Sequence, residues 1–153
     1  MSSGLPFVSG IKGAGFIIPE NERTEADKKL FKISDELVKE FKSCDTLVIS
    51  APIYNFGVPA CLKAWFDLIA RNGETFQYTD QGPVGTVTNI KKAYLLIVSG
   101  GVPVDSNMDF CTPWLKQGLG FLGVKNFEVI AADGLNRDPQ KIEKIKQLIN
   151  SLK

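Results

Sequence analysis

The sequence predicts an α/β domain built on a parallel sheet, and three observations predict it. Segments with helical spacing of apolar residues alternate with short apolar, β-branched runs, in the order helix, strand, helix, strand, helix, strand, helix. The connections are short, which makes successive strands run the same way with helices packed on the sheet faces. Two of the strands end in loops bearing glycine or proline, where open α/β sheets hold their ligands. At 153 residues the chain is expected to form one domain, 1–153, whose first part, 1–23, is an irregular arm. A chain of this size buries roughly 70% of its unfolded surface, enough for a core.

The arm has no sustained period, and its apolar residues Leu5, Phe7, Val8 and Phe16-Ile17-Ile18 are expected to cover part of the domain. Thr24-Glu25-Ala26-Asp27 is a capping signature. It opens an amphipathic helix to about Lys42, with Leu30, Ile33, Leu37 and Phe41 on its apolar face. Thr46 to Ser50 reads as a buried strand. Ala60 to Arg71 reads as the second helix, with Leu62, Phe66 and Ile69 on one side, Trp65 beside them and Pro59 in the first turn. Asn72-Gly73 is a turn signal, Thr75 to Thr79 a short extended piece, and Gln81 to Gly85 a loop. Ala93 to Val98 is the second buried strand. Thr112-Pro113 reads as the start of the next helix, which carries Trp114, Leu115 and Leu119 and ends at Gly120 or Gly123. Phe127 to Ala132 is the third strand, and Asp138-Pro139 caps a final helix with Ile142, Ile145, Leu148, Ile149 and Leu152 on its apolar side.

Composition removes several classes of function. A net charge of +1 argues against a nucleic-acid protein held by phosphate contacts and against an acidic electron shuttle steered by its field. No apolar run approaches the length of a membrane span, and the first residues lack the apolar core of an export signal, so a cytoplasmic protein is expected. There is no histidine, which excludes Ser-His-Asp triads, Cys-His dyads and histidine zinc sites. Cys44, Cys61 and Cys111 are far apart and form no CxxC pair, so three free thiols are expected.

The chemistry available lies in the loops at 51–57 and 99–102. Gly57, Gly100 and Gly101 permit close backbone approach, and Pro52 and Pro59 stiffen the first loop. Tyr54 and Phe56 offer aromatic faces, and Asn55 offers a donor and an acceptor. These suit a flat heteroaromatic ligand read by backbone groups. There is no GxxxxGK followed by Ser or Thr, and no GxGxxG, so neither a triphosphate site nor a Rossmann dinucleotide site is supported. No nucleophile–base pair is evident, which is intelligible if a cofactor carries the chemistry.

Ala51-Pro52-Ile53-Tyr54-Asn55-Phe56-Gly57-Val58-Pro59, then Leu62-Lys63-Ala64-Trp65-Phe66-Asp67, Thr75-Phe76-Gln77-Tyr78-Thr79 and Gly82-Pro83-Val84-Gly85 closely resemble the FMN-dependent NADH-azoreductase family of flavodoxin-like NAD(P)H:quinone oxidoreductases. The resemblance runs from about Leu5 to the C-terminus. It implies a flavodoxin-like three-layer αβα fold with a parallel sheet, and a homodimer with FMN at the interface. It implies that Pro52, Ile53, Tyr54, Asn55 and Phe56 border the flavin from the first loop and Val98, Ser99, Gly100 and Gly101 from the second. It places Tyr78 and Phe121 on the substrate side. It implies ping-pong transfer of two electrons from NADH or NADPH to a quinone or an azo compound, with no catalytic side chain and no metal.

The family begins with a strand, a Ser-containing phosphate loop, a helix and a second strand, none of which this chain matches. The expected sheet is therefore N-terminally truncated, with three recognisable strands from an order 2-1-3-4-5 and an exposed edge on the strand at 46–50. The alternative function is a flavin-free dimerisation or interaction module of the same fold.

Overall fold

A computed structural model describes Ile18 and residues 20–151. The expectations for Leu5 to Ile17 and for Leu152 lie outside the described residues. The first described helix, α1 (Glu25–Ser43), starts as its sequence dictates. Thr24 Oγ1 accepts from the Asp27 amide, and the Asp27 carboxylate accepts from the Thr24 amide at 2.8 Å, a reciprocal capping box. Its buried line is Phe31, Ser34, Val38 and Phe41, while Leu30, Ile33 and Leu37 are half-buried. The apolar face is thus turned by about one residue from the one expected. The cause is Ser34, whose hydroxyl donates to the Leu68 carbonyl at 2.5 Å and so can be buried.

Strand β1 (Thr46–Pro52) pairs in parallel with β4 (Lys92–Val98), which pairs in parallel with β5 (Phe127–Ala132), in the order β1-β4-β5. The register runs from Thr46 opposite Lys92 to Pro52 opposite Val98, and from Ala93 opposite Phe127 to Val98 opposite Ala132. Helix α2 (Ala60–Ile69) connects β1 to β4, and α3 (Cys111–Leu122) connects β4 to β5. Both are crossovers stepping in the same direction, so the right-handed rule puts them on one sheet face. Helix α1 joins them through Phe41, edge-on to Trp65 at 5.9 Å. Ala93, Leu95 and Ile97 point into this shared core and are fully buried. The opposite face is thinly covered. Helix α4 (Lys141–Ser151) has no buried residue, and Val48 of β1 is 62% exposed. The outer edge of β1 has no strand partner among the described residues.

The segment expected to be a loop at 81–85 is a strand. β2 (Phe76–Thr79) and β3 (Gly82–Gly85) form an antiparallel hairpin. The pairing pattern is hidden in the sequence because Gly82, Pro83 and Gly85 read as breakers. Pro83 is tolerated because a two-stranded ribbon is all edge. Gly85 is required by packing, since a Cβ there would run into the Phe121–Gly123 backbone. Helix starts also differ from expectation. Pro59 is the N-cap of α2 rather than a first-turn residue. Helix α3 begins at Cys111, and its cap comes from outside the Thr112-Pro113 pair.

Candidate functional site

Two turns meet at the carboxyl ends of β1 and β4. The Ile53 amide donates to the Val98 carbonyl at 2.8 Å, extending the parallel pairing one residue past Pro52, which has no N–H. Tyr54 and Gly57 then exchange two hydrogen bonds of 3.0 Å, which leaves Asn55 and Phe56 at the tip of a tight turn. Their φ values are +47° and +70°. A left-handed backbone costs an L-residue roughly 1–2 kcal/mol, less for Asn. The Phe110 amide anchors the tip by donating to the Phe56 carbonyl at 2.9 Å. Tyr54 and Phe56 stay 63% and 48% exposed.

The second turn is fastened to β5 and the chain after it. The Ser99 amide donates to Ala132 O at 2.9 Å, Ser99 O accepts from Leu135, and Gly100 O accepts from the Asn136 amide at 2.9 Å. Ser99 Oγ accepts from the Val102 amide at 2.8 Å. The Asn136 side chain lies over Gly100, where a Cβ would meet it at 2.8 Å, while Gly101 faces open space. The amides of Asn55, Phe56, Gly100 and Gly101 have no acceptor among the described residues. These four amides, without a protein acceptor and at adjoining strand ends, are free to donate to the oxygens or ring nitrogens of a bound group.

The nine residues expected on the two loops, Pro52 to Phe56 and Val98 to Gly101, are thus brought together. Tyr78 and Phe121 are not with them. Both pack on the buried Phe76, at 5.6 and 4.8 Å between ring centroids. Helix α3 carries Phe110 just before its first residue and Phe121 in its last turn. Eleven residues of helix separate the two rings by roughly 17 Å along the axis. Within one protomer the Tyr78–Phe121 patch therefore sits toward the amino ends of the strands.

Four residues of this region are not evident from the sequence. Asp109, 4% exposed, accepts from the amides of Asp105, Cys111 and Thr112 at 2.9–3.0 Å. It therefore does the capping expected of Thr112. Burial alone would raise its pKa, but the hydrogen bonds from Thr112, Asp105 and Cys111 outweigh burial and hold it below the usual carboxylate range. Its signal was an Asp two residues before the first helical position, overshadowed by Thr-Pro. Burial and the neighbouring Asp109 charge push the Cys111 thiol up to about 11. Asp133 accepts from the Val104 amide at 2.9 Å and pairs with Lys141 at 3.3 Å. The hydrogen bond from Val104, opposed by burial and helped by Lys141, lowers the Asp133 pKa. Phe110, 63% exposed, and Asn136 carry no motif, and only the fold brings them to the turns. Between the starts of α2 and α3 lies a cavity of about 700 Å³, lined by Tyr54, Val58, Pro59, Lys63, Phe110 and Trp114 among others.

A family model described as flavodoxin-like fold matches residues 5–153. An FMN-dependent NADH:quinone oxidoreductase of Pelagibacter ubique is 49% identical over 141 residues, covering 92% of this chain and 73% of the relative. One of the same name from Thiobacillus denitrificans is 53% identical and covers 86% and 64%. The crystal structure of an FMN-dependent NADH-azoreductase from Bacillus anthracis in complex with FMN superposes with a TM-score of 0.74, at 27% identity, over 86% of this chain and 66% of that one. The chain thus spans about two thirds to three quarters of the length of these relatives. With a parallel β1-β4-β5 sheet and with relatives about half identical to it, the chain belongs to the flavodoxin-like family of the FMN-dependent NADH:quinone oxidoreductases.

Proposed function

We propose that this chain works as an FMN-dependent NAD(P)H oxidoreductase that reduces quinones or azo compounds. The observation that carries it is the set of four unpaired amides, on Asn55, Phe56, Gly100 and Gly101, beside exposed Tyr54 and Phe56. A flavin ring has acceptors along its pyrimidine edge and flat apolar faces, so this donor set and these aromatic walls fit it. Pro52, Ile53, Tyr54, Asn55 and Phe56 would hold the ring from one side and Val98, Ser99, Gly100 and Gly101 from the other. When bound, FMN would supply the two-electron redox chemistry that links NADH or NADPH to the acceptor. The net change balances as NADH + H⁺ + quinone giving NAD⁺ + hydroquinone.

The chain's own contribution is binding and electrostatics. Fixed backbone N–H groups favour negative charge developing at the atoms they face and need no reorganisation during the reaction. Without histidine in the chain, protons would come from water. We further propose one domain over 1–153, a cytoplasmic location and a homodimer. The dimer is motivated by the separation of the Tyr78–Phe121 patch from the turns, because a second copy can bring its patch to the first copy's site.

The test is an FMN titration of the purified chain followed by flavin fluorescence, with mass measured by sedimentation, then NADH oxidation with a quinone. Saturable binding to a dimer and parallel lines in double-reciprocal plots are expected, the latter the mark of a ping-pong mechanism. A folded chain that binds no FMN would instead support the flavin-free module.

A further inference from the structure

We propose that Phe110 sets acceptor specificity, its ring forming one wall of a slot that receives the ring of an uncharged, flat aromatic electron acceptor. This rests on the oxidoreductase reading above. Phe110 is 63% exposed, yet its neighbours Asp109 and Cys111 are 4% and 0% exposed. Its backbone is fixed from both sides. Its own amide donates to Phe56 O, and the Asp109 carboxylate gathers the amides of Asp105, Cys111 and Thr112. A large apolar ring is thus held at the surface by a fixed backbone, on the same cavity as exposed Tyr54, and an exposed apolar patch of this kind marks a binding groove where a lone ring would not.

What it faces is a built cavity. Trp114 is seated edge-on against Phe66, with centroids 5.1 Å apart. Gly118 gives Phe66 its room, since a Cβ there would touch that ring at 3.0 Å. Tyr54 lines the same cavity and belongs to the Asn55–Phe56 turn, so cavity and turn are continuous. About 700 Å³ lies within the range of small-molecule sites. The cation lining it, Lys63, is already paired with Asp67 at 2.6 Å. Aromatic walls with a neutralised cation favour quinones over anionic dyes.

The test compares wild type, Phe110→Ala and Phe110→Tyr, loaded with FMN. It reads the ratio of kcat/KM for menadione, a naphthoquinone, to kcat/KM for ferricyanide, which takes electrons without stacking. Loss of one aromatic contact predicts a ratio about fivefold lower in Phe110→Ala, carried by KM, and restored by Phe110→Tyr. In parallel, menadione is titrated against tryptophan fluorescence of the FMN-free chain, where Phe110→Ala is expected to bind about fivefold more weakly. An unchanged ratio, an equal loss in Phe110→Tyr, or no quenching of the wild type would overturn the proposal. Phe110-dependent quenching in a chain that neither binds FMN nor oxidises NADH would overturn the oxidoreductase reading, and with it the role in acceptor choice, leaving only a slot that binds flat aromatic rings.

Discussion

Asn55, at φ +47°, combines a backbone that favours glycine with a side chain and an unpaired amide at the proposed ring site. Asn55→Gly removes the side chain without straining the turn. Its expected effect is a melting temperature equal to wild type or higher, with FMN binding about fivefold weaker for one lost hydrogen bond of ~1 kcal/mol. A lower melting temperature with unchanged FMN affinity would mean that the side chain serves the fold. Asp109 makes the opposite case, a residue whose charge serves the fold. Its folded pKa lies below its unfolded value, as does that of Asp133. Their stabilisation is therefore complete above the unfolded value of about 3.9 and is lost as pH falls through the folded values. Thermal melts between pH 5 and pH 2, a range of roughly that sort, are expected to show a falling melting temperature. In Asp109→Asn one carboxylate oxygen becomes an NH2 donor, so either the Asp105 amide or the Cys111 and Thr112 amides lose their acceptor. Stability at neutral pH should fall by about 1 kcal/mol or more, lowering the melting temperature, and the acid slope should flatten. A slope identical to wild type would remove Asp109 from the account.

The elements divide by how much of their environment is local. The three strands and the Thr24 capping box were legible because apolar runs and capping chemistry act over a few residues, whereas the order β1-β4-β5 was expected from the family resemblance alone. The β2–β3 hairpin was not, because its glycines answer to the distant α3 backbone and only then to a turn. Helix α4 reads as amphipathic, but Ile142 and Leu148 remain 42% and 50% exposed. Periodicity states which face could be buried and not whether anything covers it. The same holds for β1, whose exposed Val48 and unpartnered edge form an aggregation-prone strand among the described residues. Val48→Lys is expected to reduce self-association, read as a lower scattering intensity at high concentration. The cost in stability should stay within about 0.5 kcal/mol, as for other surface changes. Unchanged scattering would show that this edge is not the sticky surface.

For the molecule as a whole, the site is half legible in its sequence. The loops announce themselves through Pro52-Ile53-Tyr54-Asn55-Phe56-Gly57 and Ser99-Gly100-Gly101, because their chemistry is contiguous. Phe110 and Asn136 arrive from elsewhere in the chain and acquire meaning only once α3 and β5 are in place. The distance along α3 between the turns at one end and the Tyr78–Phe121 patch at the other has a genetic consequence. In the proposed homodimer each site draws its turns from one copy and its patch from the other. A chain damaged at Asn55 and a chain damaged at Tyr78 would each be defective alone. Mixed and allowed to exchange, half of the dimers would pair unlike copies, and each of these would hold one site with both defects and one with neither. Quinone reduction should then recover to about a quarter of the wild-type rate, as a two-fold assembly with shared sites requires. Two broken subunits would complement each other, and recovery on mixing is the signature that no single copy owns its active site.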